Sequence, residues 1–405
     1  MIINLPEDVR HIIDKLTGEG YEAYAVGGCV RDSVIGRVPD DWDITTSARP
    51  EQVKQLFRRT IDTGIEHGTV TVMLGREGYE VTTFRIDGEY RDNRHPENVE
   101  FTASLEEDLK RRDFTINAMA YNEQKGIVDL FGGMDDIKAG IIRCVGNPHD
   151  RFGEDALRML RAVRFSAQLG YDIDDDTSEA IEELAGTIAA VSKERIHTEI
   201  GKTLMSAHPE YIERACRLGI TAVVFKAFDD IPDKKISYKL IQTMPENIAF
   251  RYAALLFDVG EQGTCRMLRE LKLDNATIDL ATALVKHHGM ELSEDDYIIR
   301  CKAAQIGADR LEDILLFEKL YYKAVGNEAM AETALRMNER LHAIRDRNEC
   351  ISIHELALNG SDLIAMGMKP GRQLGEILQK CLEHVLKVPE DNTYDTLSGL
   401  VGKLM

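Results

Sequence analysis

The chain has 405 residues, 43 % hydrophobic and 30 % charged, with a net charge of −20, which argues against a general nucleic-acid coat but leaves room for a local basic cleft. At roughly 150 residues per domain the length predicts two to four compact units, no apolar run approaches the roughly 20 residues of a membrane span, and the opening MIINLPEDVRHIIDKL lacks the basic start and unbroken apolar stretch of a secretion signal. Seven scattered cysteines with no CxxC pair argue against a disulfide framework or a zinc site and fit a reducing cytoplasm.

Strand and helix signals alternate over about the first 140 residues. Residues 6–16 place Val9, Ile12, Ile13 and Leu16 at helical spacing, closed by Gly18 and Gly20. Residues 24–26 read as a short strand ending in Gly27-Gly28, and 50–57 as a helix. Residues 69–74 and 79–85 alternate apolar and polar positions around a Gly75-Arg76-Glu77-Gly78 turn, which predicts a hairpin. A second hairpin pairs 118–121 with 127–131. After about residue 143 helical periodicity dominates, with helices predicted over 152–169, 176–190, 196–205, 210–218, 248–257 and 311–325. The expected fold class is an α+β head, a mixed sheet with helices, followed by an all-α remainder.

Three segments of this pattern carry chemistry. In the first, Gly27-Gly28-Cys29-Val30-Arg31-Asp32 precedes Asp41-Trp42-Asp43. Residues two apart on a strand point the same way, so Asp41 and Asp43 can jointly hold a hard cation such as Mg2+, while Trp42 faces the other side and packs. The glycine pair lets a ligand approach the backbone, the helix beginning near Val30 offers free N–H groups, and Arg31 adds a bidentate contact. A phosphate cradle beside paired metal ligands is a phosphoryl-transfer constellation. An isolated DxD is more often a surface turn; the preceding GGxVRD is what shifts the reading. Glu80, on the strand expected at 79–85, can complete a three-carboxylate site or be an ordinary exposed strand residue.

The second segment is Arg111-Arg112-Asp113, with Asn117 following. A basic pair beside an acid and an amide can contact phosphates and a ribose hydroxyl; by composition alone it is a charged helix end. The third runs from Glu154 to Phe165. Asp155, Arg158, Arg161 and Arg164 recur every three residues beside an apolar stripe of Leu157, Leu160 and Val163. A solvated face with ion pairs is the plainer reading. The sharper one is base recognition. A carboxylate accepts from an exocyclic amine and a guanidinium donates to the adjacent ring acceptor, a match to cytosine and adenine that uracil and guanine fail.

In this order the segments resemble the class II tRNA nucleotidyltransferases, the bacterial and eukaryotic CCA-adding enzymes, within the DNA polymerase beta-like superfamily. The resemblance rests on GGCVRD, DWDITTS, EVTTFR, LEEDLKRRDFTINAMA, DLFGG and FGEDALRMLRAVRF over about residues 21–170, and returns at 356–360 and 370–388. It implies a catalytic head at 1–142, a base-reading neck at 143–205, a helical body at 206–310 and a tRNA-binding helical tail at 311–405. It implies template-independent addition of CCA to tRNA from CTP and ATP, with Mg2+ as the metal and pyrophosphate released. Residue by residue, Asp41 and Asp43 match the metal ligands and Glu80 a third acid. Gly27, Gly28 and Arg31 match nucleotide contacts, Arg112 a triphosphate contact, and Asp113, with Asn117 in the same motif, a ribose 2′-OH contact. Asp155 and Arg158, preceded by Glu154, match the base-reading pair, and Arg161 and Arg164 further nucleotide contacts.

The competing readings differ by visible features. A poly(A) polymerase of this type usually carries a basic C-terminal extension and its own signature after the catalytic strands, whereas the last residues here read as ordinary globular sequence. A CC-adding enzyme lacks a flexible loop after EVTTFR; here residues 86–100, IDGEYRDNRHPENVE, form a loop-like segment expected to act as a mobile lid. An A-adding enzyme can keep such a loop, so that alternative stays open. For a fused HD-type phosphohydrolase, Phe257 stands where the histidine is needed, and the adjacent His287 and His288 point to different helix faces. A non-catalytic RNA-binding module needs no metal carboxylates, and Asp41 and Asp43 argue against it.

Overall fold

The computed structural model describes residues 1–87 and 99–404. It divides into two compact units, Met1–Asp230 and Ile231–Met405.

The first unit opens with helix α1 (Glu7–Gly18), followed by α2 (Gly28–Val34) and α3 (Pro50–Leu56). Helix α1 buries the predicted stripe Val9, Ile12, Ile13 and Leu16, and its terminal charges, Glu7 and Asp8 first and Lys15 last, complement the helix dipole. These helices are interleaved with strands β1 (Ala23–Val26), β2 (Ile44–Thr46), β3 (Thr60–Gly64), β4 (Thr69–Leu74) and β5 (Glu77–Thr83). Then come β6 (Arg85–Asp87), β7 (Val99–Phe101), β8 (Met119–Asn122) and β9 (Gly126–Asp129). Seven of these strands form one sheet in the order β3-β4-β5-β2-β1-β8-β9, mixed because β2 runs parallel to β5 while β1 is antiparallel to both β2 and β8.

Alternation along β1 divides the core between the two faces of the sheet. Ala23 and Ala25 pack with Ile12, Leu16, Val30, Val53, Val72 and Val81 on one side, and Tyr24 and Val26 with Phe84, Leu109, Ala120 and Val145 on the other. Both predicted hairpins form, as β4–β5 and β8–β9. Strand β3, Thr-Ile-Asp-Thr-Gly, was not legible: it is an edge strand with mostly polar, exposed residues and so lacks a buried alternation. The stem of the expected lid, β6 with β7, pairs antiparallel through Arg85 and Phe101, while residues 88–98 lie outside the described residues.

Six further helices of this unit matter to the site: α4 (Leu105–Lys110), α5 (Gly133–Ala139), α6 (Pro148–Glu154), α7 (Leu157–Leu169), α8 (Asp175–Leu184) and α9 (Lys193–Leu204). The helix predicted over 152–169 is thus two helices. Asp155 sits between them with extended backbone (φ −143°, ψ 104°), and its Oδ1 accepts from the Leu157 amide at 3.1 Å. Aspartate is a preferred helix-starting residue because its side chain satisfies such an amide. The predicted apolar stripe Leu157, Leu160 and Val163 is buried.

The second unit is all helix. Ile299, Leu311, Leu315, Met337, Leu341 and Ile344 form one core, and Leu358, Leu363, Cys381, Val385, Leu397 and Val401 another. His288 donates to or accepts from the fully buried Glu318 (2.8 Å) and packs edge-on against Phe257, Phe317 and Tyr321. Among the described residues no helix is long and apolar enough to cross a membrane.

Candidate active site

Asp41 and Asp43 do not lie on a strand but on the segment entering β2, where the Val26 amide donates to the Asp43 carbonyl. Both acids are exposed, and Trp42 between them packs against the head core as alternation requires. The parallel register that pairs Ile44 with Val81 sets Asp43 beside Glu80 one residue earlier. The protein around Glu80 strips part of its hydration and raises its carboxyl above the ordinary value, with Asp43 and Asp41 adding to the rise. Asp43 is raised likewise by lost hydration; Arg112 opposes the rise and Asp41 adds to it. The three acids therefore share one electrostatic neighbourhood, although among the described residues no group of three His, Cys, Asp or Glu side chains converges as a ready metal cage.

The glycine pair turns the chain from β1 into α2. Gly27 has φ +83°, which strains any side chain, and a Cβ there would sit 3.0 Å from Arg112 Nη1 and crowd the guanidinium. Gly28 faces Arg31, whose Nη2 would lie 3.7 Å from a Cβ. Arg31 is buried and already engaged. It holds Asp32 through Nε (2.9 Å) and Nη2 (3.0 Å), and donates from Nη1 to Asn117 Oδ1 (2.6 Å).

From Asn117 the network runs on to α7. Asn117 Nδ2 donates to Asp113 Oδ1 (3.3 Å), which also accepts from the Phe114 amide (2.9 Å), while Arg161 reaches Asp113 Oδ2 through Nε (2.7 Å) and Nη2 (2.6 Å). Four donors meet the roughly four acceptor positions of a carboxylate. Burial alone would raise Asp113, but Arg161 and then Arg158, with those hydrogen bonds, hold it at about 2. Phe165 lies beneath this chain, with the guanidinium carbons of Arg31, Arg161 and Arg164 5.1, 5.2 and 3.9 Å from its ring centre.

A cavity of about 270 Å3 opens beside the network, lined by Arg111, Arg112, Asp113, Asp155, Leu157, Arg158, Arg161 and Arg195. Arg112 links it to the acids: it lines the cavity, abuts Gly27 and acts on Asp43, and among the described residues its buried Nε has no hydrogen-bond partner. Asp155 and Arg158 both line the cavity but do not pair with each other. Arg158 is held by Glu154 (2.6 Å) and by the carbonyls of Arg151 and Arg111. Asp155 is held by Arg195, 2.7 Å away. Arg164 turns away into a buried ion pair with Glu199 (2.5 Å) and does not line the cavity.

Two residues of this arrangement escaped the sequence reading. Asp108, with no exposed surface, gathers Thr45 of β2 (3.0 Å), Arg111 (2.8 Å) and Arg112 (3.6 Å). Its burial favours the neutral acid, but Arg111, Arg112 and Thr45 outweigh that and lower it. Arg195 is the other. Both look like solvated helix charges in sequence, and only the long-range partners distinguish them.

Known proteins resemble this chain. Residues 23–143 match the family model of the poly A polymerase head domain, 170–231 that of the RNA and SrmB-binding site of polymerase A, and 245–400 that of tRNA nucleotidyltransferase domain 2. The chain is 38 % identical to a CCA-adding enzyme of Lactiplantibacillus plantarum, over 96 % of this chain and 94 % of that protein. This chain belongs to the CCA-adding enzyme family. A CCA-adding enzyme of Enterococcus faecalis is 36 % identical over 98 % of this chain and 96 % of its own. The crystal structure of the Bacillus stearothermophilus CCA-adding enzyme in complex with CTP is similar with a TM-score of 0.75, at 33 % identity, over 93 % of this chain and 91 % of that one. The Thermotoga maritima CCA-adding enzyme complexed with tRNA shares the fold at 19 % identity, TM-score 0.62, over 99 % and 97 %. Mixed-sheet head and helical remainder are thus the architecture of CCA-adding enzymes.

Proposed function

We propose how this CCA-adding nucleotidyltransferase places its parts. The carrying observation is Arg112, one guanidinium that lines the cavity, abuts the Gly27 turn and acts on Asp43. A nucleoside triphosphate with its base at Asp155 and Arg158 then has its phosphates at Arg112 and Gly27-Gly28, next to Asp41 and Asp43. Arg161 and Asn117 hold the Asp113 carboxylate at the sugar, and Arg31 fixes Asn117. Arg164 acts through Glu199 and Phe165, orienting α7 rather than touching nucleotide.

The acids fit a divalent cation. Lost hydration raises both Asp43 and Glu80, and the acids add to it, Asp41 on Asp43 and both on Glu80; that added repulsion between neighbouring carboxylates is what a hard cation relieves. Asp41 and Asp43 would hold it, with Glu80 alongside. Mg2+ when bound supplies Lewis-acid stabilisation of the transferring phosphoryl group and of the primer 3′-oxygen. Everything else in the site is positioning: the arginines neutralise phosphate charge, and the cavity excludes alternative orientations of the base.

The substrates are tRNA, CTP and ATP. Residues 1–142 act as the head, 143–205 as the base-reading neck, and 206–310 and 311–405 as body and tail that hold tRNA; the protein works in the cytoplasm. The test is incubation with tRNA lacking its 3′ end and single labelled nucleotides, with Mg2+ and with a chelator. Two C residues followed by one A, only with metal, is the expected result. Extension by A alone or C alone redirects the reading to an A-adding or CC-adding enzyme.

A further inference from the structure

We infer that Arg195 sets base selectivity by clamping the Asp155 carboxylate in one orientation with one acceptor position left open; this rests on the reading of Asp155 as the acceptor for a base amine. Arg195 reaches across from α9 with both terminal nitrogens: Nη1 donates to Asp155 Oδ1 (3.3 Å) and Nη2 to Oδ2 (2.7 Å). The Leu157 amide also donates to Oδ1 (3.1 Å). A carboxylate oxygen accepts about two hydrogen bonds. Among the described residues Oδ1 is therefore filled and Oδ2 keeps one acceptor position, on a carboxylate that lines the cavity together with Arg195.

The anchorage of the clamp is firm. Glu199, four residues along α9 and on the same face, is buried in its ion pair with Arg164 of α7. One face of α9 thus grips both the residue that starts α7 and a residue in its middle. Arg158 is fixed as closely. Both hydrogens of Nη1 and one of Nη2 are directed to Glu154 and to the Arg151 and Arg111 carbonyls, leaving Nε–H and a single Nη2–H.

One fixed acceptor beside a fixed donor matches an edge that presents an amine next to a ring acceptor, as in cytosine and adenine. Uracil and guanine place a carbonyl where the amine stands and shift the N–H donor by one ring position. A carboxylate free to rotate can follow that donor; a clamped one cannot, and a buried polar group left unpaired penalises the wrong base. Arg195 is in this sense a positioning residue. It acts on the base through Asp155.

The experiment measures kcat/KM for CTP, ATP, UTP and GTP on tRNA lacking its 3′ residues, for Arg195→Ala, Arg195→Lys, Asp155→Ala and the Arg195→Ala/Asp155→Ala pair, with thermal unfolding of each. Asp155→Ala and Arg195→Ala should each raise UTP and GTP relative to CTP and ATP by about tenfold. The double variant should show no greater relaxation than Asp155→Ala, because the two act as a unit. Arg195→Lys should also relax selection, since an ammonium cannot hold both oxygens. Equal loss for all four nucleotides in Arg195→Ala, with selection relaxed in Asp155→Ala, overturns the clamp alone. A wild-type ratio in Arg195→Lys overturns it too, and carries the test if Arg195→Ala does not fold. Unchanged selection in Asp155→Ala overturns the base reading and the clamp together.

Discussion

At the scale of single residues the site is a set of charges whose partners are already chosen. Asp113 has all its acceptor positions filled by Arg161, Asn117 and the Phe114 amide, and sits at about 2 against an ordinary 3.8. A carboxyl lowered by folding adds stability that is fully present above its ordinary value and lost as pH falls through the folded one. Asp113 therefore stabilises by about 2 kcal/mol at neutral pH, a contribution lost between about pH 4 and pH 2. Denaturant unfolding as a function of pH should show a shallower acid slope in Asp113→Asn. Asp41 and Asp43 are the opposite case, exposed acids whose carboxylates no side chain among the described residues ties down by a hydrogen bond or ion pair. Replacing either by Ala should abolish incorporation while far-UV circular dichroism and tRNA binding stay near normal. Near-normal turnover in Mg2+ would remove them from the metal role.

At the scale of elements, short strands and helix ends are held in register by buried side chains. Strand β2 spans only Ile44–Thr46, and its aim depends on Thr45 bonding Asp108 of α4. The same carboxylate holds Arg111 and Arg112, so Asp108 ties the acid-bearing segment to the guanidinium that neighbours it. Removing one partner of a buried ionic cluster strands the others. Asp108→Ala should cost about 3 kcal/mol, read as a shift of the denaturant midpoint, and lower kcat with every nucleotide alike. An unshifted midpoint would show that Thr45 and the arginines hold their places without it. The break between α6 and α7 works by the same logic. Asp155 leaves the helix to start the next one, and this turns its carboxylate toward Arg195 rather than toward Arg158.

At the scale of the whole molecule, a chain of net charge −20 must hold a polyanion. Electrostatic cost is local, so tRNA binding requires Lys and Arg gathered along the path of the RNA and the surplus acids elsewhere. Apparent tRNA affinity should fall steeply as salt rises, measured by filter binding over a several-fold range of KCl. An affinity indifferent to salt would show that the contact is not made through phosphates.

What the sequence alone determined were the features written in short-range pattern. Glycine at a turn, alternation in β4 and β5, the buried stripe of α1 and the DxD spacing depend on neighbours within a few positions, and motif order carried the family. Tertiary structure decided the pairings. Asp155 and Arg158 stand three apart on what reads as one helix, yet each takes a different partner, because the chain breaks at Asp155 and α9 brings Arg195 from forty positions away. Arg164 reads as one more charge in a polar stripe, yet its guanidinium is buried against Glu199. Asp108 reads as one more acid in a charged helix and is buried at a junction between strand and helix. Charge is conspicuous in a sequence, but its partner is set by which elements the core packs together, and burial converts a weak surface pair into a fixed one.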